Sequence, residues 1–136
     1  MDISESLAFI LGHKVTVIER FYERFLDDYP QARSYFTGID LRRQSLMLTM
    51  ALVTVEAYYT GNYAAISHYL RVLGTRHLQQ ANVLPEHYPL FRDSLLVTLQ
   101  ELHGDDWDAD LQRQWHEAID KAIQTMLEGY EESYIY

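Results

Sequence analysis

Cysteine is absent from the 136 residues, so the chain can form no disulfide, thiolate ligand or thiol nucleophile, and any metal must be held by nitrogen or oxygen. Proline (3) and glycine (6) are scarce, so few breaks interrupt the regular segments, and there is no low-complexity tract. Positive charge is also in deficit: 11 Lys and Arg stand against 20 Asp and Glu, a formal net charge of −9. A surplus of that sign repels phosphate backbones and anionic head groups, which argues against nucleic acid and membrane surfaces as partners. The apolar run near the start, Leu7 to Leu11, is too short for a signal-peptide core or a membrane span, so a cytoplasmic protein is expected. Neither the His-Glu-x-x-His zinc pattern, a phosphate-cradling glycine loop nor a Gly-x-Ser-x-Gly nucleophile turn occurs.

What is present is helical periodicity. Val15, Ile18, Tyr22, Phe25 and Tyr29 recur at steps of three and four up to Pro30, and Asp40 stands where it can cap a helix whose inward series is Leu41, Gln44, Leu48, Ala51, Val55 and Tyr58. A third stripe runs Ile66, Leu70, Leu73, His77. A fourth follows Pro85 with Tyr88, Phe91, Leu95, Leu99 and Leu102, closed by Gly104. A fifth, after the capping carboxylates of "DDWDAD", holds Leu111, Trp115, Ala118, Ala122 and Met126. No strand-type alternation survives over a useful length, so the expected class is all-α with about six or seven helices. The expected organisation is one domain, residues 1–136, with its core over about 13–130 and a frayed tail at 131–136.

Three polar side chains, Tyr22, Gln44 and His77, fall on apolar faces of three different helices. Each on its own has an ordinary explanation. A core-facing histidine is usually a hydrogen-bonded structural residue, a buried tyrosine usually finds a backbone carbonyl, and Gln44 lies near a helix start. An unpaired buried polar group costs about 1–3 kcal/mol, so all three together call for partners or for a ligand. The carboxylates of "WDAD" and "EGYEES" read as solvated helix ends and give no acid/base pair. One imidazole in an apolar, aromatic-rich interior suits a flat tetrapyrrole whose iron takes a single axial nitrogen.

At this point the runs "FYERFLDDYPQARSYF", "GTRH", "VLPEHYPLF" and "WHEAIDKAIQTM" matter together. In order and spacing, over about residues 15–127, the chain resembles the bacterial single-domain globins and the globin portion of flavohaemoglobins. The resemblance implies a globin fold enclosing a haem b pocket. It implies His77 as the iron ligand, Phe36 packed on the porphyrin, and Tyr22 as a distal hydrogen-bond donor. It further implies Gln44 at the distal gate with Leu48 behind it, and Tyr88 hydrogen-bonded to His77. Leu73, Val83, Phe91, Leu95 and Met126 would line the pocket, and Arg76, with Arg42 and Arg43 behind it, would meet the haem propionates. The chain departs from the family pattern twice: the loop after His77 is one residue longer, and Tyr130, flanked by Glu128 and Glu131, stands where flavohaemoglobins carry a glutamate in the last helix. The function implied is reversible binding of dioxygen or another diatomic gas at pentacoordinate iron. The alternatives are a nitric oxide dioxygenase and a gas-sensing globin that signals to a partner. The sequence ends at Tyr136 without a flavin or nicotinamide segment, so any reductase is expected to be a separate protein.

Overall fold

The structure, a computed structural model, describes the backbone of residues 1–135 and side chains through Glu132. Six α-helices account for most of it: α1 (Ile3–Leu11), α2 (Lys14–Asp28), α3 (Leu41–Gly61), α4 (Ala64–Ala81), α5 (Tyr88–His103) and α6 (Ala109–Ile135). Short 3-10 turns lie at Pro30–Phe36, Pro85–His87 and Gly104–Asp106. There is no strand among the described residues. Nor, among them, is any helix long and apolar enough to cross a membrane.

The helices start and stop where local chemistry dictates. Asp2 and Glu5 form a reciprocal capping box on α1, Asp40 Oδ1 accepts from the Arg42 amide at 2.9 Å to open α3, and Asp108 Oδ1 accepts from the Leu111 amide at 2.8 Å to open α6. Asn62 and Asn82, at φ 51° and 48°, close α3 and α4 in the left-handed region that asparagine tolerates better than most residues.

α2 packs on α5, α3 and α4 both pack on α6, and α1 bridges α3 and α6. Their inner faces meet around Phe21, Leu99, Leu111, Trp115 and Ala118, each with no exposed surface. Burying each of the larger apolar side chains contributes about 1.5–3 kcal/mol.

Three expectations change. Val15 and Leu41, assigned to inward stripes, are 64% and 56% exposed. Both lie in the first turn of their helices, where no preceding turn carries the buried stripe onward. The core also begins earlier than residue 13, since Ile3, Leu7 and Ile10 of α1 are buried. Finally, residues 131–135, expected to fray, continue α6; Tyr136 lies outside the described residues.

α1 is joined to the bundle by a buried polar chain. Trp115 Nε1–H donates to Ser6 Oγ at 2.9 Å, Ser6 Oγ lies 2.7 Å from His103 Nε2, and His103 Nδ1 lies 2.6 Å from the Leu99 carbonyl. The carbonyl can only accept, so Nδ1 carries the proton and Nε2 accepts from the Ser6 hydroxyl. Burial lowers the His103 pKa, opposed by its bond to the Leu99 carbonyl and by Asp106, and reinforced by His13. A proton added at Nε2 would leave the Ser6 hydroxyl proton without its acceptor. The unfolded chain takes up that proton near the ordinary value of about 6.5, whereas the native state takes it up only at lower pH, so acid favours unfolding. Stability measured by denaturant titration should therefore be full above about pH 6.5 and fall as the pH drops below it. His103→Gln should flatten that slope, and an unchanged slope would assign the acid sensitivity elsewhere.

Candidate functional site

α4 presents His77 from a helix seated unusually close to α6. A Cβ at Gly74 would overlap the Met126 carbonyl, and one at Gly129 would overlap the Arg71 carbonyl. The two backbones thus touch through paired glycines, and Thr75 Oγ1 spans the crossing, 3.0 Å from the Gly129 carbonyl and 3.1 Å from that of Arg71. This crossing sets His77 against Tyr88 of α5, whose hydroxyl in turn meets that of Tyr130 of α6.

His77 is half-buried, and burial lowers its pKa. Its Nδ1 lies 3.0 Å from the Tyr88 hydroxyl, so the contact implied by the resemblance is made despite the longer loop. The loop begins at the end of α4. Asn82 turns left-handed there and the Val83 amide reaches back to the His77 carbonyl at 3.1 Å. Tyr35 pins the rest of the loop, accepting from the Leu84 amide at 3.1 Å while its hydroxyl lies 2.7 Å from His87 Nδ1. Tyr88 and Tyr130 are both buried, their hydroxyls 2.9 Å apart, and the Tyr130 hydroxyl donates to the Val83 carbonyl at 2.6 Å. Burial, with Tyr130 beside it, holds the Tyr88 phenol far above the ordinary tyrosine range. Sequence reasoning marked Tyr130 only as a departure. Its partner, the Val83 carbonyl, is a backbone group that no side-chain pattern discloses.

A second group of polar residues comes from α2 and α3. Tyr22 is 8% exposed and meets the half-buried Gln44; burial pushes its phenol up to about 12, with the Gln44 hydrogen bond opposing that rise. Leu48, one turn after Gln44, is buried. Phe36 packs edge-on against Tyr22 with ring centres 5.6 Å apart. Phe91 is turned into the α2 aromatic cluster, edge-on to Phe21 at 5.0 Å and to Phe25 at 5.8 Å. Leu73 and Val83 are half-buried against the core, which includes Leu95 and Met126. Arg76, beside His77, is exposed and pairs with no carboxylate among the described residues; Arg42 and Arg43 are exposed as well.

The arrangement fits a metal-bearing planar group on one count above all. His77 Nδ1 is engaged, whereas Nε2 has no hydrogen-bond partner among the described residues. An imidazole tied at one nitrogen and open at the other has the chemistry of a metal ligand.

The globin family model matches residues 19–126. The chain belongs to the globin family. Two curated relatives bear this out: an uncharacterized globin-like protein of Aquifex aeolicus, 25% identical over 125 residues (92% of this chain and 86% of that protein), and a flavohemoprotein of Bacillus subtilis, 24% identical over 119 residues. The latter alignment covers 85% of this globin but only 29% of the flavohemoprotein. Among solved structures, a Pseudomonas aeruginosa protein described as highly homologous in structure to human haemoglobin superposes with a TM-score of 0.79 at 26% identity, covering 95% of this chain and 98% of that one. Shortfin mako haemoglobin superposes with a TM-score of 0.68 at 14% identity, over 90% of this chain and 93% of the haemoglobin, a likeness of fold alone.

Proposed function

We propose that this globin is a haem b protein that binds dioxygen, or another diatomic gas, reversibly. The observation that carries the reading is the half-engaged ring of His77, tied through Nδ1 to Tyr88 and open at Nε2. Haem, when bound, would supply an iron centre able to take a diatomic gas, and His77 Nε2 would hold that iron. The rest falls to the protein. Tyr88 orients the His77 ring, Leu48 and Phe36 keep water from the apolar faces, and Tyr22 with Gln44 supplies hydrogen-bond donors. The Tyr22 phenol, raised to about 12, keeps its proton at neutral pH and so remains a donor. Arg76, an exposed cation beside His77 that pairs with no carboxylate among the described residues, would meet the propionates.

The test is spectroscopic. Haemin added to the apoprotein should bind one to one and give a sharp Soret band that shifts on reduction and again with carbon monoxide. In His77→Ala that spectrum should be lost or greatly altered. No stoichiometric uptake by the unsubstituted protein would return His77 to the role of a core histidine. A second reading, turnover of nitric oxide with a separate reductase, rests on the likeness to flavohemoproteins. Sustained nitrate formation with an added reductase would favour it.

A further inference from the structure

The hydrogen bonds around His77 run in one direction only, and the residue that fixes the direction is Tyr130. The Val83 carbonyl is solely an acceptor, so the single proton of the Tyr130 hydroxyl is committed to it across 2.6 Å. Tyr130 Oη can then only accept from Tyr88, 2.9 Å away, which commits the Tyr88 proton in turn. Tyr88 Oη must then accept from His77 Nδ1, 3.0 Å away, and Nδ1 must carry a hydrogen. We propose that Tyr130 is the positioning residue of this site: through the chain His77 Nδ1–H to Tyr88 to Tyr130 to the Val83 carbonyl, it locks His77 as the Nδ1–H tautomer and leaves the Nε2 lone pair bare for a metal.

The terminal acceptor decides more than the tautomer. A carboxylate at the end of such a chain would draw the Nδ1 proton and make the imidazole a stronger donor to a metal. Among the described residues the chain runs through the hydroxyls of Tyr88 and Tyr130 to a neutral carbonyl. The ring is oriented as firmly but is not charged, so His77 would be a moderate donor to a metal. That suits holding a gas and releasing it better than driving a bond in the gas to break.

Val83 is well placed for this task, since its amide is bound to the His77 carbonyl and its own carbonyl receives Tyr130. The loop that follows α4 therefore reports the position of α6 back to the histidine six residues before Val83. Gly129 precedes Tyr130, and its contact with Arg71 and Thr75 brings the tyrosine within reach.

The proposal extends the haem reading, yet it can be tested without haem. Nitrogen-15 correlation spectra of the apoprotein at pH 8 distinguish the protonated from the bare imidazole nitrogen. In the unsubstituted protein His77 should show a protonated Nδ1 and a bare Nε2. That is the opposite of the preference of an unconstrained histidine side chain. In Tyr130→Phe the Tyr88 hydroxyl loses its acceptor and is free to donate to Nδ1, so the Nε2–H tautomer should become dominant. Tyr130→Glu restores an acceptor and should return the Nδ1–H form. Tyr88→Phe, which removes the neighbour itself, should release the tautomer in the same way as Tyr130→Phe, and circular dichroism confirms that each variant is folded. An Nε2–H tautomer in the unsubstituted protein, or an unchanged tautomer in both phenylalanine variants, would overturn the proposal. With haemin present, Tyr130→Phe should weaken retention of the group by about 10–100-fold, and Tyr130→Glu should raise the iron–histidine stretching frequency. A correct tautomer pattern with no haem uptake would leave the relay standing and remove the haem reading; haem uptake with the wrong tautomer would do the reverse.

Discussion

Gly74→Ala should destabilise the protein by about 3 kcal/mol or more, lowering the thermal midpoint by roughly 10 °C or more in a domain of this size. Intrinsic propensity argues the other way, because alanine is favoured over glycine inside a helix by about 1 kcal/mol. The two effects have opposite signs, which makes the measurement decisive. The obstacle to a Cβ at Gly74 is the Met126 backbone, its carbonyl oxygen, carbonyl carbon and Cα, none of which can swing aside as a flexible side chain would. Making room means prising α4 off α6. That movement would also carry His77 away from Tyr130, break the Thr75 bond to the Gly129 carbonyl and unseat the loop through Val83. A melt followed by circular dichroism should show the loss for Gly74→Ala and again for Gly129→Ala, where Arg71 is the obstacle. If either variant melted at or above the parent temperature, the backbone contact would not be a constraint on the fold.

The glycine crossing also shows where the sequence stopped being informative. Periodicity found α2 to α6, because each carries an apolar stripe long enough to be read, and the caps at Asp40 and Asp108 followed from residue type. It placed Tyr22, Leu48 and His77 on inward faces, and all three are buried or half-buried. It missed α1, whose nine residues allow only two turns of pattern, and Gly74, which is silent to any count of apolar side chains although it sets the depth of α4. Likewise the polar chain through Ser6, His103 and Trp115 joins residues 97 and 109 positions apart, a separation that no local pattern can encode. His103 belongs to no metal-ligand spacing, and its partner is a serine. Tyr130 was visible as the residue standing in a glutamate's place. Its role depends on the proton polarity imposed by a backbone carbonyl, which appears only once the chain is folded.

Tyr22→Phe tests the other half of the site, and its effect should appear in the rate of gas release. If the haem reading proposed above holds, dioxygen at this site would carry partial negative charge, and a hydrogen bond to a charged acceptor is worth about 1.5–3 kcal/mol. Removing the phenol oxygen should therefore speed dioxygen dissociation by roughly ten- to a hundredfold while changing carbon monoxide much less, since carbon monoxide gathers little charge. The fold should tolerate the change, because phenylalanine keeps the edge-on contacts that Tyr22 makes with Phe21 and Phe36. Gln44 enters as the second variable. Its side chain lies close enough to the Tyr22 phenol to oppose the rise in its pKa, and besides donating to a gas itself it can act through the phenol in two ways: it can hold the phenol in place, or it can compete for the phenol's proton. Gln44→Leu separates these. If the amide holds the phenol in position, the leucine variant should release dioxygen faster than the parent, and the double variant should be no worse than Tyr22→Phe alone. If the amide competes for the proton, Gln44→Leu should release dioxygen more slowly, because the phenol would then be free to donate to the gas. Flash photolysis of the four proteins gives both answers, and an unchanged dioxygen rate in Tyr22→Phe would remove Tyr22 from the gas-binding side altogether.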